Sequence, residues 1–174
     1  PIIIVVALIA VGVRSLSLIN GNVKGTTDST IEIEKALKSK KLDRTFNFPL
    51  NDAAGKEVGT FKYIVESVEV RNEIIVKGQR ATAIKGRTFL VVNLKLVNDL
   101  KKGVNINTRD YIRLTVNGKD KELLAADVHN DPVEVQAIST EYSRLGFATN
   151  DTDKKHVLVI GEIDGSKQRI EINF

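Results

Sequence analysis

From Arg44 onward, apolar and polar residues alternate with a period of two, the signature of half-buried strands. In RTFNFPL, Phe46, Phe48 and Leu50 share one face. In TFKYIVESVEV, Phe61, Tyr63 and Val65 alternate, and Val68 and Val70 then resume on the opposite parity. Such a parity change inside one strand predicts a β-bulge near Glu66 and Ser67. EIIVK predicts a short strand ended by Gly78. The clearest strand is RTFLVVNLKLVN, with Leu90, Val92, Leu94 and Leu96 on one face and Phe89, Val91, Asn93, Lys95 and Val97 on a more mixed one. Turn signals separate these runs: NDAAG at residues 51–55, Asn117-Gly118 and Asp164-Gly165. Further strand patterns follow in EYSRLGFA and HVLVIG, and in the closing alternation of Ile170, Ile172 and Phe174. Roughly seven to nine short strands of this kind predict an all-β, antiparallel β-sandwich over residues 44–174.

The start of the chain follows another pattern. Residues 1–19 are apolar apart from a few hydroxyls and one charge, Arg14. The run PIIIVVALIAVGV would span about 20 Å as a helix, and a full crossing needs roughly 20 residues. An N-terminal apolar helix anchored in a membrane is the expectation, completed by residues ahead of Pro1. The chain starts at Pro1 and contains no methionine, so a removed leader or a clipped sequence is expected. Residues 20–43 read as a linker, with NGNVKGTTDS rich in turn formers. Ser29 and Glu32 fit a capping box, predicting a short helix over residues 30–41. Lys and Arg residues after the apolar run count toward the cytoplasm, yet long domains translocate despite them. The expectation is an exported domain.

Charge changes this picture little. The net charge is +4, from 26 Lys and Arg against 22 Asp and Glu, and the two signs are interspersed. No nucleic-acid partner is expected. With no cysteine, there is no disulfide framework, thiolate metal site or cysteine nucleophile.

Candidate chemistry is sparse. Lys77, Arg80, Lys85 and Arg87 surround Gly78 and Gly86 and could form a basic recognition loop; a solvated hairpin is the simpler explanation. Asp127, His129 and Asp131 alternate in DVHNDP, a weak metal pattern against an Asp-Pro turn whose side chains bond the backbone. Asn150, Asp151 and Asp153 suggest turn chemistry rather than a calcium loop. His156 opens a strand and is expected to face solvent. One of Tyr63, Tyr111 and Tyr142 is expected to bond backbone as a sandwich corner. There is no G-x-S-x-G motif and no glycine-rich phosphate loop, so neither an enzyme nor a cofactor or metal site is expected.

From GRTFLVVNLKLVND through NTRDYIRLTVNGKDKELLA to IGEIDGSKQRIEINF, the chain resembles a bacterial family of immunoglobulin-like domains of unknown function. The elements carrying the likeness are Asn93 to Asn98, Asp110 to Leu114 and the turn at Asn117-Gly118, within residues 60–174. The sequence style is also similar to membrane-anchored proteins of candidate-phylum bacteria. The resemblance implies an immunoglobulin-like sandwich behind a signal or membrane segment, and it supplies no catalytic residues. DVHNDPVEVQAIS departs from its pattern. The expected function is a membrane-anchored extracytoplasmic binding or structural module of the cell envelope, with a protein or envelope partner. The alternative is a filament or assembly subunit whose apolar N-terminus packs between subunits.

Overall fold

A computed structural model describes residues 32–52, 54–76 and 78–174. The described chain is an all-β antiparallel sandwich. Its strands are β1 (Lys38–Asn51), β2 (Glu57–Arg71), β3 (Glu73–Val76), β4 (Gln79–Thr82), β5 (Arg87–Asn98), β6 (Val104–Ile106), β7 (Ile112–Thr115), β8 (Val133–Val135), β9 (Ser139–Asn150), β10 (His156–Ile160) and β11 (Gln168–Ile172). One sheet has the order β1-β2-β5-β9 and the second β11-β10-β7; β3-β4 and β6-β8 are two-stranded ribbons. The apolar segment 1–19 lies outside the described residues, as does the linker before residue 32. Among the described residues, no helix is long and apolar enough to cross a membrane.

Alternation builds the core. Phe46, Phe48, Phe61, Tyr63, Val65, Leu90, Leu94 and Leu96 of the four-stranded sheet join Ile112, Leu114, Leu158, Ile160 and Ile172 of the three-stranded one in a single buried cluster. The two sheets therefore bury their facing sides against each other. The predicted bulge is present: the β2–β5 register shifts between Val65 and Ser67. This shift keeps Val65 and Val68 both in the core.

The turns explain much of the polar sequence. Asp52 accepts from the backbone N of Ala54 and Lys56 at 2.9 and 3.0 Å, closing the β1–β2 hairpin. Asn117 and Gly118 both take positive φ, and Lys119 N donates to Val116 O, as the Asn-Gly signal predicts. Asn98 is fully buried. Its amide nitrogen reaches the carbonyls of Lys102, Val135 and Gln136, and its oxygen accepts from Leu100 N. One side chain thus ties the loop after β5 to the end of β8.

The short helix expected over residues 30–41 is corrected within the described part. Residues 32–36 carry no regular structure, and β1 already begins at Lys38. Its thin apolar stripe could not bury a helix face, whereas pairing to β2 satisfies the backbone of Lys38 to Lys41. The approach to β1 is fixed by donors from elsewhere. Arg71 donates to Glu34 O at 2.9 Å, Arg80 to Glu32 O, and Leu37 N to Val70 O at 2.7 Å.

Candidate functional site

The basic loop divides. Arg80 donates to the Glu32 carbonyl and lies 3.8 Å from the Glu73 carboxylate, so it holds the incoming chain against the β3–β4 hairpin. Arg87 donates to Asn150 Oδ1 and Ala148 O, both at 3.2 Å, closing the β5–β9 end of the sheet. Lys85 remains exposed and Lys77 lies outside the described residues. Of the three described cations, Arg80 and Arg87 are taken up by carbonyls, and Lys85 and Arg87 line one cavity together with Glu34, Glu73 and Asp151.

The DVHNDP loop is organised around Asp131. Its carboxylate is 3 % exposed and accepts from Thr108 N at 2.9 Å, Thr108 Oγ1 at 2.6 Å and Arg109 N at 2.9 Å. Those donors open the 3₁₀ turn Thr108–Tyr111, whose first N–H groups have no partner within the turn. His129 Nδ1 faces Asp131 N at 3.2 Å and Nε2 faces the Arg109 guanidinium at 3.0 Å. Asp127 is exposed. Asp131 and His129 thus bind backbone and arginine, the turn reading of this loop.

The remaining polar candidates are also structural. Tyr63 is fully buried, and its hydroxyl donates to Thr108 O at 3.1 Å, the corner role expected of one tyrosine. Burial pushes its phenol well above the ordinary value. Asp153 is held below the ordinary carboxylate value. Partial burial opposes this, but donors from Asn150 N and Asn117 Nδ2 prevail. His156 is half-buried with its ring edge-on to Phe174, a correction to the solvent-facing expectation. Phe174 closes over the strand start, and burial lowers the imidazole pKa against the pull of Asp153.

A polar constellation that alternation alone did not single out lies on the outer face of the four-stranded sheet. A groove of about 430 Å³ is lined by Glu66, Ser67, Asn93, Asn130, Tyr142 and Arg144, with the chain at Leu94 and Ser143. Register produces it. Ser67 pairs with Asn93, Asn93 with Arg144, and Lys95 with Tyr142, so these residues alternate with the core positions Leu94 and Leu145. The Asn93 amide donates to Ser67 Oγ at 2.9 Å, which fixes its orientation. The bulge inserts Glu66 beside them, as bulges often do when they re-aim a side chain. Val128 bridges to Gly146 at the β9 edge, and Asn130, two residues further on, joins the lining. Tyr142 is 62 % exposed, and the Arg144 guanidinium has no carboxylate within ion-pair distance among the described residues. Ser143 alternates to the core side, where its hydroxyl is buried without a described partner.

A second open cavity, about 490 Å³, is lined by Asp110, Tyr111, Glu162, Ile163, Asp164 and Gly165. Burial, with Glu162 and Asp110 nearby, raises the Tyr111 phenol. Among the described residues, no group of three or more His, Asp or Glu could hold a metal ion.

No protein-family profile matches the sequence, and no curated protein matches it. The fold itself is found among solved structures. An uncharacterized β-sandwich protein from Clostridium difficile 630 is similar over 82 % of this chain and all of its own length, with a TM-score of 0.54 and 16 % identity. A conserved hypothetical protein from Bacillus anthracis is similar over 76 % of this chain and 96 % of its own, with a TM-score of 0.53 and 13 % identity. At these identities the likeness establishes the β-sandwich fold alone.

Proposed function

We propose that the chain is a membrane-anchored, extracytoplasmic binding or structural module of the cell envelope, with an immunoglobulin-like sandwich that works by surface recognition and not by catalysis. The observation that carries the recognition half is the outer-face groove. Its side chains stand on paired strands of a rigid sheet, face solvent and are not needed by the core. The anchoring half rests on the apolar residues 1–19 and the polar linker that follows.

Membrane fractionation with protease protection, on the full chain beside a version starting at Thr27, tests the anchor. The full chain is expected to sediment with membranes, resist carbonate extraction and be digested only from outside, while the shortened version stays soluble. Detergent-resistant polymers of the full chain outside the membrane would replace this reading with the assembly-subunit one.

A further inference from the structure

We propose that the groove on the outer face of the four-stranded sheet is a saccharide-binding site that takes an acidic oligosaccharide. The inference rests on the reading of the domain as a recognition module and is independent of the anchor. It starts from what a sheet face offers. Backbone hydrogen bonds along β2 and β5 are satisfied by strands on both sides, and the middle of the edge strand β9 is covered by Val128, so a peptide laid on this face has little backbone pairing to gain. A ligand there must be recognised chiefly by side chains.

The side chains present suit a sugar ring. Tyr142 stands 62 % exposed at one end of the groove, giving the apolar face of a pyranose a flat surface to stack on. Ser67, Asn93 and Asn130 supply both donors and acceptors for hydroxyls, and Asn93 is already oriented by Ser67 at 2.9 Å. At about 430 Å³ the groove is of a size that holds a small ligand.

Charge selects among sugars. Arg144 lines the groove without a carboxylate partner among the described residues, and Lys95 pairs across the strands with Tyr142. Within the lining itself Glu66 is the one carboxylate and Arg144 the one cation, and no ion pair joins them. The unpaired guanidinium of Arg144 favours a sugar acid, whose carboxylate it can hold through two parallel hydrogen bonds.

The test is amide chemical-shift mapping of the isotope-labelled full chain in detergent micelles, titrated with trigalacturonic acid and, separately, with neutral cellotriose. The acidic trisaccharide is expected to shift Ser67, Asn93, Tyr142 and Arg144 and to leave the second cavity at Asp110 and Asp164 unmoved. Tyr142→Ala should weaken binding about tenfold or more, a loss of at least ~1.4 kcal/mol. Arg144→Gln should abolish the preference for the acidic over the neutral sugar. Both residues are exposed, so far-UV circular dichroism of each variant should match the parent. The proposal is overturned if neither sugar shifts the groove at about 10 mM, if both bind equally, or if binding survives both substitutions. None of these outcomes bears on membrane fractionation, which reads the anchor separately.

Discussion

Asp131 gives the most exposing test of the structural reasoning. Its nearly inaccessible carboxylate holds three donors, two of them on Thr108, which is itself fully buried. Asp131→Ala strands the Thr108 N–H and hydroxyl away from water, at about 1–3 kcal/mol each, while Arg109 N can turn to solvent. The expected loss is about 3–5 kcal/mol, a large share of the roughly 5–15 kcal/mol that holds a domain together. Asp131→Asn keeps one acceptor for Thr108 but sets an NH₂ against a backbone donor, for a loss of about 1.5–3 kcal/mol. Because Thr108 O also accepts from Tyr63, the 3₁₀ turn and the aromatic core should loosen together. Urea unfolding followed by far-UV circular dichroism measures both variants. Adding Thr108→Val to the alanine variant removes one orphaned donor and should recover about 1 kcal/mol. An alanine variant within about 1 kcal/mol of the parent would refute the reasoning. So would zinc that stabilises the parent and not the variant, since the loop would then be a metal site.

Three further outcomes follow from the same geometry. Gly161 has φ 156°, and a Cβ there would sit 2.2 Å from Ser166 O, a backbone atom with no easy retreat; Gly161→Ala should cost about 2–4 kcal/mol in the same urea assay. Tyr63→Phe removes a buried hydroxyl bonded to Thr108 O and should cost about 1 kcal/mol near neutral pH. Tyr63's folded pKa lies above its unfolded value, so its contribution is complete below pH 10 and disappears as pH rises beyond that; the phenylalanine variant should lose less stability under alkali. His156's folded pKa lies below the ordinary 6.5, so the unfolded chain takes up its proton first on acidification. Stability should therefore fall as pH drops through 6.5 toward the lower folded value, and thermal melts of His156→Gln should show a flatter decline over that window.

Period-two patterning placed the longer strands between Phe46 and Ile172, because each has one face against the core and one toward solvent, but not β4, β6 and β8, whose three or four residues are too few to show a period. It even located the bulge, since Val65 and Val68 can both be buried only if the strand gains a residue between them. Residues 38–43 were misleading for the converse reason. Lysines and a thin apolar stripe look helical locally, and only pairing with β2, a contact far along the chain, makes them a strand. The groove stayed hidden because its row runs across strands: Ser67 and Asn93 are 26 residues apart and adjacent in the sheet. Nothing in a linear reading brings Glu66 and Arg144 to one groove. Arg80 and Arg87 misled in the other direction, since sequence shows their charge but not the carbonyls of Glu32 and Ala148 that take it up.

The sheet edges bear on the choice between an anchor and an assembly subunit. A subunit that lends its apolar N-terminus as a strand must find a neighbour with an open, flat edge. β1, the long edge of the four-stranded sheet, is poorly suited. Its register breaks between Lys41 and Arg44, with Asp43 at φ 48°, and Pro49 removes a donor near its end. Lys38, Lys40 and Arg44 also fall at the parity of the core-facing residues Phe46 and Phe48, where charges resist a second hydrophobic strand. At the opposite edge, Val128 pairs with Gly146 and covers the middle of β9. In the three-stranded sheet Leu124 bridges to Leu114 and covers part of β7, and β11 is five residues long with Arg169 and Glu171 exposed, a short and charged template. An apolar IIIVV segment would gain little on such edges and, under the proposed anchoring, would gain far more in a bilayer, where a helix would satisfy every backbone group. That asymmetry favours the anchor.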